Sequence, residues 1–583
     1  MVEVRPTGAS KPPAPLRIGN CSGFYGDRHS AMREMLTGGP LDVLTGDYLA
    51  ELTMLILGKD ALKDPSLGYA RTFVRQLEEC LGVALERGVR IVSNAGGLNP
   101  AGLAEKVREV ARGLGLDPAV AHVEGDDLRT YGFPGALTAN AYLGGFGIAA
   151  ALAGGADVVV TGRVTDASLV VGPSVAHHGW GPEQYDELAG AVVAGHVLEC
   201  GAQATGGNFS GFRSLPEGAR SRPLGFPLAE IAADGSSVIT KHDGTGGAVT
   251  VDTVTAQLLY EVQSTRYVGP DVTVDLASVE LADAGTDRVA ITGVHGEPPP
   301  ARLKVCVNEL GGYRNSVELV LTGLDVDEKA AWARDQLTAA LDPAPTAVVW
   351  SPVSQPEPDA ATEEAASVVL RCTVQDPSPD PVGRSFTAAA VELALASYPG
   401  FTLTTPPSPP SPYGVYRAEY VERSAVTHTV VHADGRREGV PDPAVWTQTA
   451  TTRREDPPSV PIPGPDTLTR RLPLGTFVHA RSGDKGGDAN LGLWVAHTDS
   501  EKYDARVQWL SKLITPTRIR ELVPEAADLD IEVYLLPNLG GVNVLLHGLL
   551  GQGVAASTRF DPQAKGLGEW VRSRLVSIQE GLL

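Results

Sequence analysis

Residues 154–173 read GGADVVVTGRVTDASLVVGP, and the rest of the chain can be read outward from them. Ala156 to Val160 form a short apolar, β-branched run that breaks abruptly into Thr161, Gly162, Arg163, Thr165 and Asp166. A fully buried strand looks like this where its last residue hands the chain to a loop. In an open, mostly parallel sheet, ligands bind outside the carboxyl ends of the strands, so Arg163 and Asp166 stand where such a site would lie. Taken alone, the loop also admits a plainer reading, in which Asp166 caps the following segment and Arg163 pairs with it.

The same grammar recurs upstream. Residues 16–18 run into Gly19, Asn20, Cys21 and Ser22 and on to Asp27, and residues 41–44 run into Thr45, Gly46 and Asp47. Residues 89–92 run into Ser93, Asn94 and Ala95, and residues 119–123 into Glu124, Gly125 and Asp126. Apolar runs that end in Gly-containing polar loops, with helix-length segments between most of them, predict an α/β domain built on a large, mostly parallel sheet. They also predict a shared rim on which Asp27, Asp47, Asn94, Glu124, Arg163 and Asp166 converge.

The chain has 583 residues, more than one core usually supports, so two or three domains are expected. Its hydrophobic share of 43% and charged share of 20% are those of a globular protein, and the net charge of −22 argues against nucleic acid, which requires a basic face. Five scattered cysteines without a CxxC pair read as reduced thiols, and the Pro-rich start has no apolar core of signal length. A cytoplasmic protein without membrane spans is expected, as is a homo-oligomer.

Residues 1–15 read as a disordered arm and residues 16–267 as the α/β domain. Asn99-Pro100 breaks the chain, residues 101–114 read as an amphipathic helix, and residues 183–200 form another. Gly206 and Gly207 expose amides suited to an anion nest, with Asn208 as a further donor. His242 beside Asp243, in the Gly-rich KHDGTGGAVT segment, is the acid/base candidate among the twelve histidines. The stretch 268–454 alternates short strands and helices and predicts an α+β middle region. Residues 455–466, EDPPSVPIPGPD, read as a Pro-rich linker. Beyond it, residues 467–583 predict a small ferredoxin-like α+β domain with a Gly-rich loop, HARSGDKGGDAN, carrying Arg481, Lys485 and Asn490. Lys485 in such a loop suits a carboxylate or phosphate.

The motifs IGNCSGFYGDR, TGDYLAELTM, SNAGGLNP, TGRVTDASL, ECGAQATGGNFSGF and KHDGTGGAVT, in this order, resemble the acyclic terpene utilisation AtuA family. HARSGDKGGDANLGL resembles the AtuA-like ferredoxin-fold domain often fused behind it. The resemblance implies a neighbourhood of acyl-thioester metabolism and brings no established set of catalytic residues with it.

Two functional expectations follow. The first is a hydratase/dehydratase type of lyase, without an organic cofactor, acting on a small CoA-linked or carboxylate-bearing molecule. His242, Asp243, Asp166 and Asp27 would supply acid/base chemistry. Ser22, Asp47, Asn94, Arg163, Gly206, Gly207, Asn208, Arg481, Lys485 and Asn490 would hold the substrate, with Asn94 or the glycine amides as the oxyanion site. No metal site is expected, although Asp27, Asp47 and Asp166 leave magnesium (Mg2+) open. The second expectation is a non-catalytic binding or accessory subunit, for instance of an acyl-CoA carboxylase. The spacing of Gly19, Gly23 and Gly26 does not match GxGxxG, and no GxSxG elbow is present.

Overall fold

The computed structural model describes residues 14–448, 468–498 and 500–583. The expected linker at 455–466 lies outside the described residues, as does all of the expected arm except Ala14 and Pro15. The described residues form two units: those within 14–308, 416–448, 468–498, 500–554 and 563–583 make the first, and residues 309–415 with 555–562 the second.

The first unit opens with β1 (Leu16–Asn20), α1 (Ala31–Gly38), β2 (Val43–Gly46), α2 (Glu51–Lys63), α3 (Arg71–Glu86), β3 (Arg90–Ser93), α4 (Pro100–Leu114) and β4 (Val120–Glu124). It continues with β5 (Thr138–Ala141), α5 (Phe146–Ala153), β6 (Val158–Thr161), α6 (Ser168–His178), α7 (Tyr185–Leu198), β7 (Pro227–Ile231), β8 (Ser237–Lys241) and α8 (Val251–Leu258). Asn99 caps α4, its side chain accepting from the Gly102 amide at 2.9 Å, and Pro100 takes the first helical position, so the Asn-Pro break is a helix start.

Strands β1, β2, β3, β6 and β4 lie side by side and parallel at the centre of an eleven-stranded sheet, whose flanking strands are antiparallel. The strand residues alternate between two cores. Ile91, Val158 and Val160 pack with residues of α1, α3 and α4, while Val92 and Val159 pack with residues of α5, α6, α7 and α8. The connecting helices therefore change face after β4, and the returning β6 inserts between β3 and β4. In a doubly wound sheet such a switch opens a crevice at the carboxyl strand ends. The loops after β2, β3 and β6 border it. The strands Glu280–Asp283 and Val289–Thr292, expected in the middle region, extend this sheet beyond β8.

The C-terminal part of the first unit is a four-stranded antiparallel sheet of Val478–Lys485, Asp488–Val495, Gly541–Leu546 and Ile531–Leu536, covered by the helices Tyr503–Leu513, Pro516–Leu522 and Leu567–Ser573. The Gly-rich loop expected at 479–490 is a β-hairpin instead: only Gly486 and Gly487 lie outside its strands, and Gly486 turns the chain at φ 67°. Trp494 from this module is buried in the core of the α/β part, its indole N–H donating to Asp252 at 2.9 Å. The predicted α/β class with a ferredoxin-like C-terminal module is the observed architecture.

The second unit has its own core. The long strand Arg302–Thr322 pairs along its C-terminal half with Ser367–Asp376, backed by the helices Val326–Ala340 and Arg384–Glu392. No helix among the described residues is long and apolar enough to cross a membrane.

Candidate functional site

The loop after β6 is fixed from behind. The Arg163 amide donates to Asp126 at 2.8 Å, and the same carboxylate oxygen accepts from Asn140 at 2.7 Å. Gly162 is required at the turn, because a Cβ there would stand 2.3 Å from an Asp126 oxygen. Burial raises the Asp126 carboxyl to about 6 against the pull of its N–H donors.

So held, the Arg163 side chain is 2% exposed, with its guanidinium 4.4 Å above the Tyr142 ring and one nitrogen 2.6 Å from Asp166. Its Nε is buried without an acceptor. The plainer pairing of Arg163 with Asp166 is thus present, but in a strand-end crevice and with donor capacity left over.

The loop after β2 brings Asp47 to the same place. Its Oδ1 accepts from the Leu49 amide at 3.0 Å and from Asn94 at 2.6 Å, and Asn94 in turn accepts from the Tyr48 amide at 2.8 Å. Burial raises the Asp47 carboxyl well above its ordinary range, the charge on Asp166 raises it further, and Arg163 opposes. With Oδ1 taken by two N–H donors, the proton belongs on Oδ2.

Glu51, at the first turn of α2, accepts from the Tyr142 hydroxyl at 3.0 Å. Burial disfavours its charge, but Lys304, Arg163 and Lys485 overcome this and hold the carboxyl at about 2. Lys304 enters from the strand Arg302–Thr322, 5.0 Å over the Tyr142 ring, with burial lowering its ammonium below the usual lysine range. Lys485 comes from the tip of the C-terminal hairpin. Burial works against its charge, and the facing Glu261, Glu51, Glu199 and Asp166 outweigh that and raise it. The large domain and the C-terminal module therefore share one site.

A second shelf of this site carries His196 and Glu199. His196 Nδ1 lies 2.9 Å from Glu199, and its Nε2 lies 3.1 Å from the Tyr260 carbonyl oxygen. Both ring nitrogens face acceptors, so the pair holds a proton beyond that of a neutral imidazole facing a carboxylate. Glu199 Oε2 is buried without a partner. Beside it Glu261 sits in the left-handed region at φ 57°, held there by its own amide donating to Asn490 Oδ1 at 2.8 Å. Asn490 and Asn543 both donate to the next carbonyl, that of Val262, at 3.2 and 3.0 Å. A non-glycine residue in this conformation persists only where its surroundings over-determine it, and such residues concentrate at functional sites. Asp484, beside Lys485, is raised to about 7, first by burial and then by Glu261, with Lys565 opposing.

The structure thus brings Asp47, Asn94, Arg163, Asp166 and Lys485 together. Asn490 and the buried Arg481 lie at the edge: Arg481 stacks 4.2 Å over Tyr260 and bonds Gln203, so both side chains position the turn of Tyr260 to Val262 instead of facing an open site.

The other expected residues are elsewhere. His242 donates through Nε2 to the Met35 carbonyl oxygen, 2.9 Å away, with its ring against Gly38 and Gly39, and Asp243 is exposed. Asp27 staples its own loop through the Gly23 and Arg28 amides at 2.8 and 2.7 Å, and the Ser22 hydroxyl donates to the Phe24 carbonyl. The Gly206 and Gly207 amides are spent on the Gln203 and Ala202 carbonyls, so they form no nest, and Asn208 is exposed. Among the described residues, no group of three or more His, Cys, Asp or Glu side chains is placed to hold a metal ion.

Glu51, Tyr142, Lys304, Glu199 and Glu261 were not reached by sequence reasoning, which read His196 as a structural histidine and Asp484 only as one of the polar residues of the Gly-rich turn. The one available signal was Lys304, a charge inside the apolar run RLKVCV.

A cleft of about 160 Å³ opens onto the two lysines and is lined by Lys304, Lys485, Gly486, Gly487, Tyr416 and Tyr420, among others. The fold and the site together define a doubly wound α/β protein whose strand-end crevice is completed by a fused antiparallel module. The chain belongs to the acyclic terpene utilisation family AtuA, whose family model matches residues 16–432, and the model of the AtuA ferredoxin-like domain matches residues 472–577. Membership supports a role in acyclic terpene utilisation. No curated protein and no solved structure gives a significant match.

Proposed function

We propose that this chain is an enzyme of acyl-thioester or small carboxylic-acid metabolism, a lyase that adds water to, or removes it from, an anionic substrate without an organic cofactor. The observation that carries this reading is the pair of carboxyls in unlike environments at one strand-end crevice. Asp166 is ion-paired to Arg163 with 27% of its side chain exposed, whereas Asp47 is buried and pushed toward its protonated form. Pairs of carboxyls whose environments separate their protonation are how one site supplies both a base and an acid.

In the hydration direction Asp166 takes a proton from water as its oxygen bonds the β-carbon. Asp47 Oδ2 gives a proton to the α-carbon, and the electron pair of the double bond passes through the carbonyl as an enolate. Arg163, with its free Nε, neutralises that enolate oxygen. Dehydration is the same path reversed. The chain is expected to act as a soluble homo-oligomer in the cytoplasm.

The test is to incubate the purified chain with a panel of α,β-unsaturated and β-hydroxy acyl-CoAs and the corresponding free acids, and to look for gain or loss of one water by mass. Turnover that vanishes in Asp166→Asn supports the reading. Inertness toward the whole panel, with copurification of a biotin-bearing partner, would identify an accessory subunit instead.

A further inference from the structure

The cleft over the lysine pair differs in character from the crevice behind it. Among the described residues, neither the Lys304 nor the Lys485 ammonium group has a hydrogen bond or an ion pair within 4.0 Å, and the amides of Gly486 and Gly487 donate to no acceptor. Their carboxylate neighbours, Glu51 for Lys304 and Glu261 followed by Glu51 for Lys485, act on them through space without touching them. Two ammonium groups and two backbone amides therefore face one opening with their donor capacity unused.

Lys304, Lys485, Gly486 and Gly487 are half-buried and line the opening, and the two neighbouring ammonium groups repel each other unless an anion joins them. A carboxylate offers one negative charge and two oxygens. A phosphate group offers up to two charges and three oxygens, and a diphosphate more, which matches the number of donors here. Tyr416 and Tyr420 add aromatic walls at the rim. At about 160 Å³ the cleft is smaller than the ~300–1,000 Å³ of pockets that enclose a whole drug-sized ligand, so it suits one end of a longer molecule.

We infer that this cleft is a phosphate-binding site, holding the phosphate or diphosphate end of the substrate on Lys304, Lys485 and the Gly486–Gly487 amides while the reacting end lies at Asp166 and Asp47. The inference rests on the proposed function for what happens at the reacting end, and not for the binding itself. A phosphorylated nucleotide handle and a diphosphate ester would both satisfy it.

The experiment is isothermal titration of the full-length protein with inorganic pyrophosphate, adenosine 3′,5′-bisphosphate and acetate. Pyrophosphate should bind in competition with the bisphosphate, and acetate should not compete. Lys485→Met and Lys304→Met should each weaken pyrophosphate binding by about tenfold or more, the loss expected for one charge-assisted contact, while Lys485→Arg retains most of it. Thermal unfolding of each variant separates loss of binding from loss of fold. Absence of pyrophosphate binding, or binding indifferent to both Met substitutions in folded protein, would overturn the inference. So would acetate competing as well as pyrophosphate does. A lysine-dependent pyrophosphate site in a protein that hydrates nothing would sustain the inference and sink only the lyase reading. Competition by the bisphosphate but not by an alkyl diphosphate identifies the nucleotide source, and the converse the diphosphate ester.

Discussion

Glu51→Gln is the most incisive single change, because it keeps the shape of the side chain and an acceptor for the Tyr142 hydroxyl while removing only the charge. The carboxyl is held at about 2 against an ordinary 4.5, by Lys304, Arg163 and Lys485 acting against burial. At ~1.4 kcal/mol per unit such a depression corresponds to roughly 3 kcal/mol of folded-state stabilisation, reduced to about 2 kcal/mol because Glu51 keeps some solvent exposure.

The sign follows from linkage. A depressed carboxyl stabilises the fold above its unfolded value near 4.5, and that contribution is lost as pH falls toward about 2. At pH 7 the variant should therefore open more readily around α2. Hydrogen exchange of the amides in Glu51–Lys63 reads this directly, and an acceleration of roughly thirtyfold is expected for about 2 kcal/mol. The wild-type protein should lose the difference on acidification, and pyrophosphate should narrow it at pH 7 by supplying the missing negative charge. Exchange that is unchanged or slower in the variant at pH 7 would show that the three cations do not depend on Glu51, and the electrostatic account of the site would fail.

Other substitutions test the same arrangement from different sides. Asp47→Asn retains an acceptor for Leu49 and Asn94; since a raised carboxyl costs stability once pH exceeds its unfolded value near ~4, the variant should be at least as stable as wild type at pH 7, while hydration falls by about a hundredfold or more. Asn490→Ala strands the Glu261 amide and should cost about 2–4 kcal/mol, read as a lower melting temperature, with loss of turnover as Glu261 leaves its left-handed conformation. His242→Ala should leave turnover intact and remove only about 1–2 kcal/mol of stability, since the ring's contacts are the Met35 carbonyl, Gly38 and Gly39. Loss of turnover with unchanged stability would return His242 to the mechanism.

The strand-end rim was legible because a buried parallel strand leaves an unmistakable mark: a β-branched run such as VVV, then Gly and polar residues at the point where the backbone escapes the sheet. Arg163, Asp166, Asp47 and Asn94 were found this way. The same rule misled at Gly206-Gly207, because glycines in a loop say that amides are exposed to something but not that the something is a ligand; here it is the chain's own carbonyls. His242 failed for a related reason, since adjacency to Asp243 in sequence carries no information on where an imidazole points. Glu51 and Lys304 sit in regular elements and Glu199 caps the end of α7, places where a charge ordinarily means a solvated face. The groups they face come from distant segments, Lys485 of the C-terminal hairpin among them, and that is a tertiary event with no local signature. Lys485 was legible as an anion contact because its glycines mark it, but the acids it faces come from segments more than two hundred residues away in sequence.

Carboxyls outnumber cations at the site, with Asp47, Glu51, Asp166, Glu199, Glu261 and Asp484 around Arg163, Lys304 and Lys485. This excess gives anion binding a proton cost with a definite sign. Asp484 stands at about 7, raised by burial and by Glu261 and held back by Lys565. An anion placed on the neighbouring Lys485 adds negative charge beside a carboxyl already balanced between its two states, and must raise it further. Filling the cleft at pH 7 is therefore expected to draw a proton from solution onto Asp484 as the anion arrives. Titration of pyrophosphate in buffers of different ionisation enthalpy measures this exchange. Proton uptake that disappears in Asp484→Asn is the expected outcome. Proton release, or no exchange in the wild-type protein, would mean that the cleft and the carboxyls are electrostatically independent, and the coupling of binding to the protonation of Asp484 would have no physical basis.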